Sequence, residues 1–95
     1  MKEISSDAFY QLYQKESLSV LDVREVEEFE ALHLEGAQNL LLSQLADIYE
    51  KLDKDVLYYV ICKSGMRSAR ASQFLEEQGY KVINVQGGMT AFEEL

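Results

Sequence analysis

An α/β domain built around a mainly parallel sheet is the fold class that the sequence predicts, and three observations predict it. Apolar stretches of strand length alternate along the chain with amphipathic stretches of helix length. No internal repeat or linker interrupts this alternation. The chain has 95 residues, 47% of them hydrophobic, which suits one compact domain over residues 1–95 and leaves no room for a second core.

The N-terminal half of the pattern predicts an edge strand at Ile4, a helix opened by Ser5 or Ser6, and a buried strand over residues 20–23. A short acid-rich helix follows, in which apolar residues recur at helical spacing and the glutamates are expected to face solvent. These apolar residues are Val26, Phe29 and Leu32, and the glutamates are Glu25, Glu27, Glu28 and Glu30. A brief strand over residues 37–40 comes next.

The C-terminal half begins with a predicted helix capped by Ser43, because apolar residues on both sides of Ser43 keep the helical period. Those residues are Leu41, Leu45, Ile48 and Leu52. Residues 56–61 form the most β-prone run and belong in the middle of the sheet. A further helix should end at Gly79 in the left-handed conformation, and residues 82–85 form the last strand. The final short helix has a predicted capping box, formed by Thr90 and Glu93.

Composition excludes several classes of function. Seventeen acidic and nine basic side chains give a net charge of −8, so we expect no nucleic-acid partner. No segment approaches the roughly 20 apolar residues of a membrane span, and the N-terminus lacks a signal-peptide core. We therefore expect a cytoplasmic protein without a membrane partner. One cysteine and one histidine make neither an internal disulfide nor a zinc site, and no metal or other cofactor is expected.

The cysteine loop, residues 62–68, is the segment that points to chemistry. It lies between a predicted buried strand and a predicted helix, at the carboxyl end of the sheet, where α/β folds place their sites. A tight loop entering a helix N-terminus turns backbone N–H groups inward, and the helix dipole adds positive charge there. These groups, with Arg67 and Lys63, would stabilise the thiolate of Cys62. The loop would then hold a nucleophile without a histidine base.

These residues resemble the rhodanese-homology family, which is identified by three motifs in the right order along nearly the whole chain. The motifs are Cys62 to Arg67 as the active-site loop, Leu21 to Glu25 with Glu28-Phe29 and His33 to Ala37 as the N-terminal signature, and Gly87 to Phe92 as the C-terminal signature. The resemblance implies a three-layer α/β/α sandwich with a five-stranded, mainly parallel central sheet. The chain departs from the family pattern at Glu35, where proline is frequent, and at Phe92, where tryptophan is frequent.

The resemblance also implies a sulfurtransferase reaction with Cys62 as the catalytic residue. Cys62 would attack the outer sulfur of thiosulfate, or of a protein or low-molecular-weight persulfide, and pass that sulfur to a thiol or cyanide acceptor. The substrate-binding residues would be those of the rest of the loop, namely Lys63, Ser64, Gly65, Met66, Arg67 and Ser68. Arg67 and Lys63 are the candidates for binding the sulfonate of an anionic donor, and Arg67 is the better one because its guanidinium can bind two oxygens at once.

Other polar residues near these motifs have structural interpretations. Asp22 and Arg24 are expected to form a partly buried pair or cap that supports the loop before the second helix. His33 is expected to be structural, since the mechanism does not need it. Arg70 would add positive potential near the loop or pair with a glutamate one to two turns along its helix, and the sequence does not decide between the two.

Four alternative interpretations, one structural and three functional, remain open from the residues alone. Cys62 could be inert core filler, the domain could be a non-catalytic interaction module, or the thiol could be a redox sensor. A cysteine phosphatase is the fourth alternative, because such enzymes also use a loop running from cysteine to arginine. They place five residues between the two, whereas four separate Cys62 from Arg67. The shorter loop favours a smaller space suited to one sulfur atom.

Overall fold

The computed structural model describes residues 1–93 as five strands and five helices in alternation. The strands are β1 (Lys2–Ile4), β2 (Ser19–Asp22), β3 (Gln38–Asn39), β4 (Leu57–Ile61) and β5 (Lys81–Val85). The helices are α1 (Ser6–Lys15), α2 (Val26–Ala31), α3 (Leu45–Ile48), α4 (Met66–Glu77) and α5 (Thr90–Glu93). The strands lie within one or two residues of the positions that the apolar pattern predicts.

The five strands form one sheet in the order β1-β5-β4-β2-β3, and every pairing in it is parallel. β4 lies at the centre, as its apolar sequence predicts. Asp22 at the end of β2 pairs in register with Ile61 at the end of β4. The residues that follow these two strands, Val23-Arg24 and Cys62, therefore emerge side by side at the carboxyl edge of the sheet.

Helices cover both faces of the sheet, and side chains of β4 alternate between two cores. Tyr58, Val60 and Cys62 belong to the core that includes the buried side of α4. Tyr59 and Ile61 belong to the opposite core, which is built around Phe9 of α1. The sheet with its two helical layers is the predicted α/β/α sandwich. Within residues 1–93, no helix has the length and apolar character needed to cross a membrane.

One predicted helix start is wrong. Ser43 does not cap a continuous helix, because residues 42–44 and 49–51 form 3₁₀ turns on either side of the four-residue α3. So short a helix depends on tertiary packing rather than on its own hydrogen bonds, and Leu45 and Leu52 supply that packing from buried positions. The hydroxyl of Thr90 donates to the carbonyl oxygen of Lys63, and its capping box with Glu93 stays a prediction. The side chain of Glu93 lies outside the described residues.

Candidate active site

The cysteine loop leaves β4 at Cys62 and enters α4 at Met66 through a left-handed residue. Gly65 has φ +100°, and a Cβ added there would lie 3.2 Å from the backbone nitrogen of Gly87. Glycine meets both the conformational and the steric requirement. The resulting turn is tight enough to bring the backbone of residues 65 and 68 back over the cysteine side chain.

Hydrogen-bond donors of the loop converge on the sulfur of Cys62. The backbone nitrogen of Gly65 lies 3.1 Å from Sγ and that of Ser68 lies 3.3 Å from it. The Ser68 hydroxyl oxygen is also 3.3 Å from Sγ, and it can donate its proton when the thiol is ionised. Cys62 and Ser68 are both 0% exposed, so these contacts form away from competing water.

The donors decide the ionisation of the thiol. Burial by itself raises the pKa of Cys62, but hydrogen bonds from the Ser68 hydroxyl and from the N–H groups of Ser68, Gly65 and Ser64 outweigh it. The net effect lowers the pKa of Cys62 below its usual value. The surroundings of the sulfur are therefore arranged for an anion rather than for an inert apolar side chain.

Residues 88–90, at the start of α5, hold the cysteine loop through hydrogen bonds to its carbonyl groups. The N–H of Met89 donates to the carbonyl of Cys62 at 2.7 Å, and the N–H and hydroxyl of Thr90 donate to the carbonyl of Lys63 at 3.0 and 2.8 Å. These bonds turn the loop carbonyls away from the sulfur. Gly88 permits the approach, because a Cβ there would overlap the Cys62 carbonyl and lie 2.7 Å from the Lys63 oxygen.

Arg67 forms an ion pair with a residue that was predicted to face solvent. Its Nη1 and Nη2 atoms donate to the two carboxylate oxygens of Glu28 at 2.7 and 3.0 Å. The side chains are 33% and 31% exposed. The prediction that Glu28 belongs to a solvated face is therefore wrong, because this carboxylate ties α2 to the cysteine loop. The hydrogen bond from Arg67 is the main cause that lowers the pKa of Glu28 from 4.5 to about 2.

Asp22 and Arg24 form a second ion pair, and this one is buried. Arg24 is 2% exposed and Asp22 is 0% exposed. The Nε and Nη2 atoms of Arg24 contact both carboxylate oxygens at 2.8–3.1 Å, and Nη2 also donates to the carbonyl of Leu32 at 2.6 Å. The amide of Asn39 donates to the carbonyls of residues 22 and 24. The pair thus joins β2, β3 and the end of α2.

The remaining residues named from the sequence lie at the loop surface or away from it. Lys63, Ser64 and Met66 are exposed, and Met66 has 71% of its surface in solvent. The ring of His33 stacks on Phe29 with centroids 4.0 Å apart and is exposed, in keeping with a structural role. Arg70 is exposed and makes no ion pair within the described part of the chain.

Asn84 is a residue of the site that the sequence interpretation missed. It is 1% exposed, and its side-chain nitrogen lies 3.4 Å from the carbonyl oxygen of Gly65 and 3.0 Å from a carboxylate oxygen of Glu3. A polar residue at a core-facing position of the last strand was the available signal. Among residues 1–93, no group of three or more His, Cys, Asp or Glu side chains is placed to hold a metal ion.

Comparison with known proteins identifies the family. The sequence profile of the rhodanese-like domain matches residues 5–95. YtwF of Bacillus subtilis is 42% identical over 94 residues, covering 98% of this chain and 91% of that protein. The thiosulfate sulfurtransferase GlpE of Shewanella oneidensis is 33% identical over 94 residues, covering 98% and 93%.

A solved structure agrees with these sequence matches. The rhodanese-related protein of Thermoplasma volcanium superposes with a TM-score of 0.90 at 32% identity, covering 99% of this chain and 92% of that one. In this chain the fold places the buried Cys62 directly after the central strand β4. The chain belongs to the rhodanese-like domain family and, with its relatives, to the sulfurtransferases.

Proposed function

We propose that this protein transfers a sulfane sulfur atom through a persulfide on Cys62, with thiosulfate or another persulfide as donor and a thiol or cyanide as acceptor. The observation that carries the proposal is the convergence of the Gly65 and Ser68 donors on the Cys62 sulfur at 3.1–3.3 Å. Donors fixed in this way stabilise negative charge without reorganising during the reaction. GlpE, a relative of similar length, carries the name of this activity.

The first half-reaction forms the persulfide. The Cys62 thiolate attacks the outer sulfur of thiosulfate, a new S–S bond forms, and sulfite leaves with the electron pair of the broken bond. With an organic persulfide, the leaving group is the corresponding thiolate. The lowered pKa of Cys62 supplies a larger thiolate fraction at neutral pH than an ordinary cysteine has.

The second half-reaction uses the same donors again. A thiolate or cyanide attacks the outer sulfur of the Cys62 persulfide, and Cys62 leaves as a thiolate. Because the loop N–H groups and the Ser68 hydroxyl lower the pKa of Cys62, they also make it a better leaving group. A single arrangement of donors therefore favours both loading and delivery of sulfur.

Access to the sulfur restricts the donor. Cys62 has no exposed surface, while its neighbours Lys63, Ser64 and Met66 reach solvent. A donor can therefore reach the thiolate only when the exposed side chains of the loop move aside. A small donor requires the smallest movement of these side chains. Four residues separate Cys62 from Arg67, which leaves less room for a tetrahedral phosphate than a five-residue loop does. This is why we propose sulfur transfer rather than phosphatase chemistry.

Intact-mass spectrometry tests the proposal directly. The reduced protein is incubated with thiosulfate, or with a persulfide that has an uncharged organic group, and is then treated with cyanide. We expect a gain of one sulfur atom that cyanide removes. Because the chain has one cysteine, the gain must vanish in Cys62→Ser. If the mass stays unchanged with both donors while iodoacetamide still alkylates Cys62, the protein does not form the persulfide and the proposal is wrong.

A further inference from the structure

We propose that Glu28 determines donor specificity: its carboxylate compensates the charge of Arg67, and this favours persulfides with an uncharged organic group over thiosulfate. The inference rests on the proposed function, because it concerns which donor loads Cys62. Arg67 is the arginine of the cysteine loop and was the candidate for binding a sulfonate. The structure pairs this guanidinium with the second helix.

The geometry of the pair is that of a strong, orienting contact. Two roughly parallel N–H···O bonds of 2.7 and 3.0 Å join Arg67 to Glu28. The backbone N–H of Glu25 donates to the same carboxylate at 3.1 Å, which fixes the Glu28 side chain at the start of α2. Bidentate, charge-assisted pairs of this kind are stronger than single contacts and have a defined direction. Glu28 is thus pre-positioned to hold Arg67.

The charges of Arg24 and Arg67 are compensated as a consequence, whereas the exposed Arg70 of α4 makes no ion pair in the described part of the chain. Arg24 is neutralised by Asp22 and Arg67 by Glu28, so Lys63 is the loop cation that makes no ion pair among residues 1–93. Lys63 is exposed, and water screens its charge. Thiosulfate carries two negative charges and must compete with the Glu28 carboxylate for Arg67. The net charge of −8 on the whole chain disfavours this anion further.

A persulfide with an uncharged organic group does not need the guanidinium. The Cys62 thiolate attacks its outer sulfur, the S–S bond to the organic thiol breaks, and that thiol leaves as a thiolate carrying the bonding electrons. The negative charge of the attacking Cys62 thiolate is stabilised by the N–H groups of Gly65 and Ser68, so this step needs no contact with a cation. The pairing of Arg67 with Glu28 therefore slows persulfide formation from thiosulfate but not from a persulfide with an uncharged organic group.

The experiment compares Glu28→Gln with Glu27→Gln. Both remove one negative charge from α2, but only Glu28 contacts Arg67, and Glu27 is exposed. Rate constants for Cys62 persulfide formation are measured by rapid quench and intact mass, with thiosulfate and with the uncharged persulfide. We expect Glu28→Gln to raise the ratio of the thiosulfate constant to the persulfide constant about fivefold, the factor expected for one partly exposed ion pair. Glu27→Gln should change it by less than about twofold.

The outcomes separate this inference from the proposed function. If the wild-type protein gains sulfur from neither donor, the proposed function fails. If the wild-type protein gains sulfur but Glu28→Gln does not raise the ratio of the thiosulfate constant to the persulfide constant, only the role of Glu28 is overturned. A lowered ratio would mean that Glu28 orients Arg67 to receive the sulfonate. Circular dichroism and thermal unfolding verify that each variant is folded, and Glu28→Ala provides a second test of the same contact.

Discussion

Two arginine–carboxylate pairs of similar geometry lie at different depths in this domain. We therefore expect that breaking each pair lowers the free energy of unfolding by a different amount. Asp22→Asn leaves the charge of Arg24 without a counter-charge at a position that is 2% exposed. Removing one member of a buried pair costs about 3–5 kcal/mol. A chain of this length has a stability of roughly 5–14 kcal/mol, so the loss is a large share of the total. The partly exposed pair should behave differently: Glu28→Gln should lower the free energy of unfolding by less than about 1 kcal/mol.

Urea unfolding measures both variants against the wild type. With a typical slope of about 2 kcal/mol per molar urea, Asp22→Asn should lower the midpoint by about 2 M at an unchanged slope. Glu28→Gln should lower the midpoint by less than about 0.5 M. The contrast follows from desolvation, because the bond lengths of the two pairs are similar. Equal shifts in the two variants, or a shift below about 0.5 M for Asp22→Asn, would refute the assignment of a buried, structurally essential pair.

Three further predictions concern the sulfur, an acidic group and a turn. Ser68→Ala should raise the pKa of Cys62 and slow the alkylation of Cys62 by iodoacetamide at neutral pH. The control is Ser72→Ala, which should do neither, because the buried Ser72 hydroxyl lies on the same helix and has no partner among the described residues. Glu28 should stabilise the fold above about pH 4.5 and lose this contribution as the pH falls towards 2, so that acid urea titrations of wild type and Glu28→Gln converge there. Gly88→Ala should lower the unfolding temperature and restore an ordinary thiol pKa, detected by thiolate absorbance, because its Cβ would displace the loop carbonyls.

The arrangement of strands and most helix ends could be predicted because local sequence determines them. Residues 56–61 are apolar on both faces of a strand, which is a property of a central parallel strand. Gly79 ends α4 with φ +92°, and the N–H of Tyr80 returns to the carbonyl of Leu75, as expected for a left-handed cap. Such signals lie within one turn of the residues that they describe.

The unpredicted features depend on contacts between distant residues. Glu28 and Arg67 are 39 positions apart, and the surrounding glutamates gave no sign that one of them faces the loop. Residues 42–51 form a four-residue helix between two 3₁₀ turns because buried leucines fix the segment in the core, whereas the apolar period alone favoured a longer helix. The contact between Asn84 and Gly65 likewise follows from the packing of β5 beside the loop.

The dependence of the cysteine loop on the turn at residues 88–90 has a consequence during protein synthesis. When the ribosome has made Cys62 and Ser68, the segment that binds the carbonyls of Cys62 and Lys63 has not yet been translated. A growing chain of that length lacks the groups that hold the loop in shape, and its thiol should titrate like that of an unstructured peptide. The reactive sulfur is therefore acquired late, when residues 88–90 have been translated and have bound the loop carbonyls.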